Sequence, residues 1–221
     1  MEISWYGHSC FRLTERGLAT VVTDPYDHKQ VGYDSLKLKA DIVTISHNTP
    51  GHNYLSAVKG DPHLIDGPGE FEIGGVFITG IYSNGHTKKN SNDPRNTLFL
   101  FDYNGITVLH LGDLNRVPSQ NEVEDFGPVN VALVPVGAGG GLNAIKATEV
   151  ISLLEPNIVI PMHYATPASA STPQPMEPLS KFLKEMGLAH VETVPSLKIQ
   201  NAKTLPDETK VIVLDYQKNN G

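Results

Sequence analysis

Apolar and polar residues alternate in short steps through the first two thirds of the chain, and helical spacing appears only after them. "EISWY", "CFRLT" and "ATVVTD" read as strands separated by turns at Gly7 and Gly17, an opening meander. "DIVTIS" is a nearly continuous apolar run, as expected of a strand buried on both faces. "HLIDG", "FEIGGVFITGI" and "VALVPVG" continue the β pattern. "TLFLFDY" and "ITVLHLG" are joined by Asn104-Gly105, which supplies the positive φ angles of a tight type I′ hairpin. In "NAIKATEVISLLEP", Ala147, Val150, Ile151 and Leu154 form one helical stripe, with Asn143 as N-cap and Pro156 as a stop. Leu179, Phe182, Leu183 and Met186 repeat the stripe, between Pro178 in a first turn and Gly187 at a C-cap. Ser119 and Glu122 have capping-box spacing for a further short helix. "IVIPMH", "SLKIQ" and "KVIVLDY" are later strands, and "ATPASASTPQP" is a polar surface loop. Strands with late helices, each covering a sheet face, predict a layered α/β fold in a single domain over 1–221.

Composition narrows the picture. A length of 221 residues suffices for one sizeable core or two small ones. No apolar run is long enough for a membrane span, and the N-terminus has no secretory signal. A single cysteine, Cys10, rules out an internal disulfide framework and reads as a small core residue. Together these predict a cytoplasmic protein. The formal net charge of −7 argues against a nucleic-acid partner, which needs a basic footprint, and leaves a small-molecule substrate as the expected one.

Candidate chemistry gathers at the ends of apolar runs. His47 and His52 follow "DIVTIS", Asp113 follows "TVLHLG", His163 follows "IVIPM", and His86 lies in a polar loop. Side chains from separate strand tips can converge on one metal ion, whereas a lone histidine at a strand end often only caps a carbonyl. His110 alternates into the middle of its run and reads as a packed core histidine. His8, in a turn between two strands, either faces a site or stabilises the turn. "GAGGGLN" lacks both the P-loop ending and the dinucleotide fingerprint, so it reads as a turn whose amides could line a pocket.

The order of "ISHNTPGH", the "GH" at 85–86, "HLGDL" and "IPMHY" resembles the metallo-β-lactamase superfamily. "GHSCFRL", "TDP", "DGPGEFEIGGVFITGI" and "VPVG" resemble its branch of small bacterial Zn-dependent hydrolases related to ascorbate-6-phosphate lactonase. The resemblance runs along nearly the whole chain. It implies a four-layer αβ/βα sandwich with a metal site at one edge. The implied metal ligands are His47, His52, His86, Asp113 and His163, with Asp113 bridging and orienting the attacking water. From position alone, His8, Asp24 and Tyr164 are candidate substrate contacts. The sequence departs from the family's His-x-His-x-Asp-His pattern twice, with Thr49 at the second His and Gly51 at the Asp. Each half of the implied two-metal site keeps two histidines and the shared Asp113.

The expected cofactor is zinc, one or two ions, with manganese and iron as alternatives. The expected activity is metal-dependent hydrolysis of an ester-like bond, a lactone or a phosphodiester. The alternative is a degenerate, non-catalytic member that binds a small ligand or a protein partner in the former pocket.

Overall fold

The computed structural model describes residues 1–83, 95–169 and 175–218. Its first strands are β1 (Glu2–Trp5), β2 (Phe11–Thr14), β3 (Val21–Thr23), β4 (Leu38–Lys39) and β5 (Ile42–Thr44), with the short helix α1 (His28–Val31) after β3. Then come β6 (Val58–Lys59), β7 (His63–Ile65), β8 (Gly69–Ile73), β9 (Val76–Tyr82), β10 (Thr97–Tyr103) and β11 (Ile106–His110). The rest runs α2 (Gln120–Glu124), β12 (Val131–Pro135), α3 (Ala144–Leu154), β13 (Ile158–Met162), α4 (Leu179–Glu185), β14 (Glu192–Val194), β15 (Leu197–Lys198) and β16 (Lys210–Leu214).

Two sheets organise these strands. The smaller has the order β15-β1-β2-β3-β5-β7 and the larger β14-β16-β13-β12-β11-β10-β9-β8, beside a minor β4-β6 pair. The meander expected at the start is present: β1 to β3 pair antiparallel in sequence order. From β3 onward that sheet turns parallel, through β5 to β7. The larger sheet changes in the same way, antiparallel from β8 to β11 and parallel from β11 through β12 and β13 to β16. Burial follows the pairing. Parallel β5, β12 and β13 are buried at every residue, while antiparallel β1 and β2 alternate.

The strands of the smaller sheet face two cores. Val21 and Ile42 join the main core with Phe99, Phe101 and Val108 of the larger sheet, while their neighbours Val22 and Val43 join Tyr26, Val31 and Tyr33. Helices α3 and α4 pack together and send Ala147, Val150, Leu154 and Phe182 into the main core. The αβ/βα sandwich is therefore present, but one outer layer is thin. Beyond the smaller sheet the cover is α1, the β4-β6 pair and tyrosine-bearing loops rather than long helices.

Local signals set the element ends. The β10–β11 hairpin turns on Asn104 (φ 53°) and Gly105 (φ 83°). The run "FEIGGVFITGI" folds into the β8–β9 hairpin at Gly74 and Gly75. Ser119 and Glu122 form the full capping box of α2. Asn143 caps α3 through the amide of Lys146, and Glu155, just before Pro156, ends it in the left-handed region. Pro178 stands at the N-cap of α4, one residue before the first turn.

Candidate metal centre

The carboxyl ends of β3, β5, β11 and β13 meet along one edge of the sandwich, and each carries a polar residue there. Asp24 follows β3, His47 and His52 follow β5, Asp113 follows β11, and His163 follows β13. The β1–β2 turn adds His8. Parallel strands put the ends of successive loops on the same edge, which is why open parallel sheets bind ligands there.

Asp113 is the hub. Its Oδ2 lies 3.5 Å from His47 Nε2 and 3.6 Å from His52 Nε2, and its Oδ1 lies 3.5 Å from His163 Nε2. His52 Nε2 is in turn 3.1 Å from His8 Nε2. Two sets of donor atoms, His8/His52/His163 and His47/His52/Asp113, each fall within 4.8 Å of one another. Zinc bonds to nitrogen and oxygen of about 2.0–2.2 Å place tetrahedral donors about 3.3 Å apart. The side chains therefore fit a divalent cation. A second observation agrees: Asp113 Oδ1 is buried with no hydrogen-bond partner among the described residues, an arrangement that native proteins rarely leave unused.

Behind the donors stands a layer that orients them. Asp24 is fully buried. Its Oδ2 accepts from His52 Nδ1 at 2.8 Å and from Ser46 Oγ at 2.6 Å, and its Oδ1 accepts from the Ser46 amide at 2.7 Å. This fixes the proton of His52 on Nδ1 and leaves Nε2 facing Asp113, the carboxylate–histidine arrangement that typically backs a metal ligand. Ser46 Oγ also lies 3.2 Å from His47 Nδ1, and Thr49 Oγ1 lies 3.0 Å from His47 Nε2. Asn96 accepts the Asp113 amide at 2.9 Å and donates to the Leu111 carbonyl and to Ser83. Gly112, at φ 54°, is needed because a β-carbon there would collide with Asn96 and Ser46.

Burial sets the charge states. It lowers His47 to about 4, helped by His52 and opposed by Asp113 and Asp24. It also lowers His8 strongly, with His163, His52 and His47 adding to the effect. Burial would raise Asp24, but the His52 hydrogen bond and the fields of His110, His52 and His47 bring it down to about 2. Asp113 is likewise pushed up by burial and pulled below its ordinary value by His163, His52 and His47. His52 alone is raised: burial opposes its charge, but Asp113 and Asp24 outweigh it. The metal-free site is thus two carboxylates among mostly neutral imidazoles, with lone pairs available.

The sequence-derived candidates divide clearly. His47, His52, Asp113 and His163 come together, and His86 lies outside the described residues. His8 reaches the centre through its ring. Asp24 is not placed to touch a substrate, because zero exposure and its bonds to His52 and Ser46 put it behind the ligands. Tyr164 is also withdrawn, buried with its ring centroid 5.3 Å from that of Trp5 in the main core. His110 is the packed core histidine expected, with Nε2 donating to the Ser9 carbonyl at 2.9 Å and Nδ1 accepting the Gly112 amide. The glycine loop at 137–141 lies over the centre, where a β-carbon at Gly140 would sit 3.4 Å from Asp113 Oδ2. Sequence reasoning missed Ser46 and Asn96. The polar Ser46 at the close of an apolar run, directly before His47, was the available signal, and Asn96 had none.

Comparison with known proteins agrees with this geometry. Residues 2–163 match the β-lactamase superfamily domain. A Thermotoga maritima protein of known structure, described as a Zn-dependent hydrolase of the metallo-β-lactamase superfamily, is 36% identical with a TM-score of 0.79, covering 98% of this chain and 99% of that one. A UPF0173 protein of Pyrococcus abyssi is 28% identical over 189 residues, 75% of this chain and 84% of its own length. A UPF0173 metal-dependent hydrolase of Lysinibacillus sphaericus is 26% identical over 200 residues, 75% of this chain and 86% of its own. With four donors converging at the strand ends and the domain match spanning most of its length, the chain belongs to the metallo-β-lactamase superfamily.

Proposed function

We propose that the protein is a metal-dependent hydrolase of an ester-like bond in a small molecule, a lactone or a phosphodiester, with zinc as the first candidate ion and manganese or iron as alternatives. The observation that carries this reading is the convergence of His47, His52 and His163 on Asp113 at 3.5–3.6 Å. The relatives described as metal-dependent hydrolases support it.

A bound divalent cation would supply a Lewis acid and make hydroxide available near neutral pH. His52 and His163 would hold it through Nε2, together with Asp113. Asp24 holds the proton of the neutral His52 ring on Nδ1, which turns the Nε2 lone pair toward the ion. Asp113, whose Oδ1 is buried without a partner among the described residues, would accept a hydrogen bond from the attacking water and orient its lone pair toward the ester carbon or phosphorus. The 137–141 loop narrows the approach to Asp113 and limits the bulk of what enters.

The test is metal content by mass spectrometry on protein purified without chelator and reconstituted with Zn, Mn or Fe, followed by assays on lactones and phosphodiesters. His163→Ala is expected to abolish both metal retention and hydrolysis. Hydrolysis that survives in the metal-free variant would sink the proposal. One observation favours a non-catalytic second reading: Thr49 Oγ1 lies on His47 Nε2, the nitrogen that faces Asp113. A reconstituted wild-type protein without metal would select it.

A further inference from the structure

We propose that His8 is itself a metal ligand, completing a donor set with His52, His163 and Asp113. The inference rests on the metal-dependent reading above and extends it to a residue outside the ligand set that the sequence implied.

The geometry begins at Gly51. A β-carbon there would lie 2.9 Å from His8 Nε2 and 3.5 Å from Val31 Cγ1. No side chain fits at position 51 while the His8 ring is in place. This is the position where the sequence pattern implies an acidic ligand, so a imidazole arriving from another strand pair takes the space of the missing carboxylate. Its Nε2 stands 3.1 Å from His52 Nε2, and the nearest donor atoms of His8, His52 and His163 all lie within 4.8 Å.

The His8 backbone is built to hold the ring there. Its φ is 52°, a region that histidine occupies at a cost and that glycine or asparagine would serve better if only a turn were needed. Its carbonyl accepts from Trp5 Nε1 at 3.0 Å and from the His163 amide at 3.2 Å. The second bond ties the turn to the strand end that carries another ligand, and the two rings sit with centroids 4.3 Å apart. Among the described residues the ring makes no hydrogen bond to the scaffold. Its Nδ1 is buried without a partner among the described residues, and Nε2 meets only His52.

Replacing a carboxylate by a neutral imidazole also changes the charge. Three histidines and one aspartate carry one negative charge, and the buried carboxylate of Asp24 behind His52 supplies a second, so a divalent ion in this set is balanced without an acidic residue at position 51.

The experiment uses the full chain and the metals alone. Zinc affinity is measured by chelator competition, and the ligand field by the visible absorption of the cobalt(II) protein. His8→Gly, which suits the left-handed backbone, is expected to weaken zinc binding by more than about 100-fold, since even residues behind a ligand cost about 10–100-fold. His8→Asn tolerates the same backbone and should show the same loss, and thermal melts of the metal-free variants establish that both fold. Gly51→Asp alone should also weaken binding, because its β-carbon displaces the imidazole. His8→Gly combined with Gly51→Asp should recover much of the affinity, a non-additive pair. Wild-type affinity and an unchanged cobalt spectrum in His8→Gly, with loss in His163→Ala, would overturn the role of His8 and leave the metal-dependent reading standing. A wild-type protein that takes up no metal would overturn both.

Discussion

Asp24 stands behind the centre, and the consequences of changing it can be stated at the level of single atoms. Its carboxylate takes three hydrogen bonds, two from Ser46 and one from His52 Nδ1. It adopts a φ of 41°, and His8 and His163 are each at 52°. Left-handed backbone at such residues costs about 1–3 kcal/mol each and persists where surrounding structure dictates it. Here the dictating contacts are the bonds that aim the imidazoles. Asp24→Asn keeps the shape and removes the charge. Zinc affinity is expected to fall about 10–100-fold, the usual effect of losing a carboxylate behind a ligand histidine. Competition titration against a chelator checks it, and unchanged affinity would show that His52 needs no anchor.

At the scale of elements, features coded by neighbouring residues were legible and features coded by distant ones were not. The Asn-Gly hairpin, the stripe of α3 and the capping box of α2 depend on residues within a turn or two of each other, so the chain displays them directly. The His47–His52 loop was legible because both ligands follow one strand. His8 and His52 are 44 residues apart, and only the pairing of β1, β2, β3 and β5 brings them together. Edge strand β14, short and largely exposed, has too little apolar pattern to announce itself. Asn96 looks like any loop asparagine until the Asp113 amide arrives. The α3 cap offers a test at this scale. The Asn143 side chain accepts the Lys146 amide at 3.0 Å, so Asn143→Ala should lower unfolding free energy by about 1 kcal/mol. Urea titration measures the loss. Metal affinity should stay unchanged, because the loop before the cap is held independently by the Gly137 and Ala138 amides.

For the whole molecule, the centre exists only when the two sheets pack. The smaller sheet and its loops deliver His8, Asp24, His47 and His52, and the larger delivers Asp113 and His163. Folding therefore buries a cluster of imidazoles that the unfolded chain leaves in water, and stability becomes a function of pH. In the metal-free protein, burial lowers His47 to about 4 and also lowers His8, His110 and His163, each below an unfolded value near 6.5. Below about pH 6.5 the unfolded chain binds protons that the folded chain refuses, so these groups give full stability above that pH and lose it as pH falls. For His47, the span from 6.5 to about 4 corresponds to about 3 kcal/mol. His52 works in the opposite direction, since its raised value adds stability at low pH that disappears as pH rises through it. Four lowered groups outweigh one raised group. Asp24 extends the loss below about pH 4, until its carboxylate protonates near 2. Urea unfolding of chelator-treated protein should therefore give a lower free energy at pH 5 than at pH 7.5. A cation held by the imidazoles would steepen that dependence, because protons compete with it, and would raise stability at pH 7.5 by about 2.7 kcal/mol at one hundred times its dissociation constant. A metal-free protein equally stable at both pH values would mean that these imidazoles are not held neutral, and that the centre is more open to water than its burial implies.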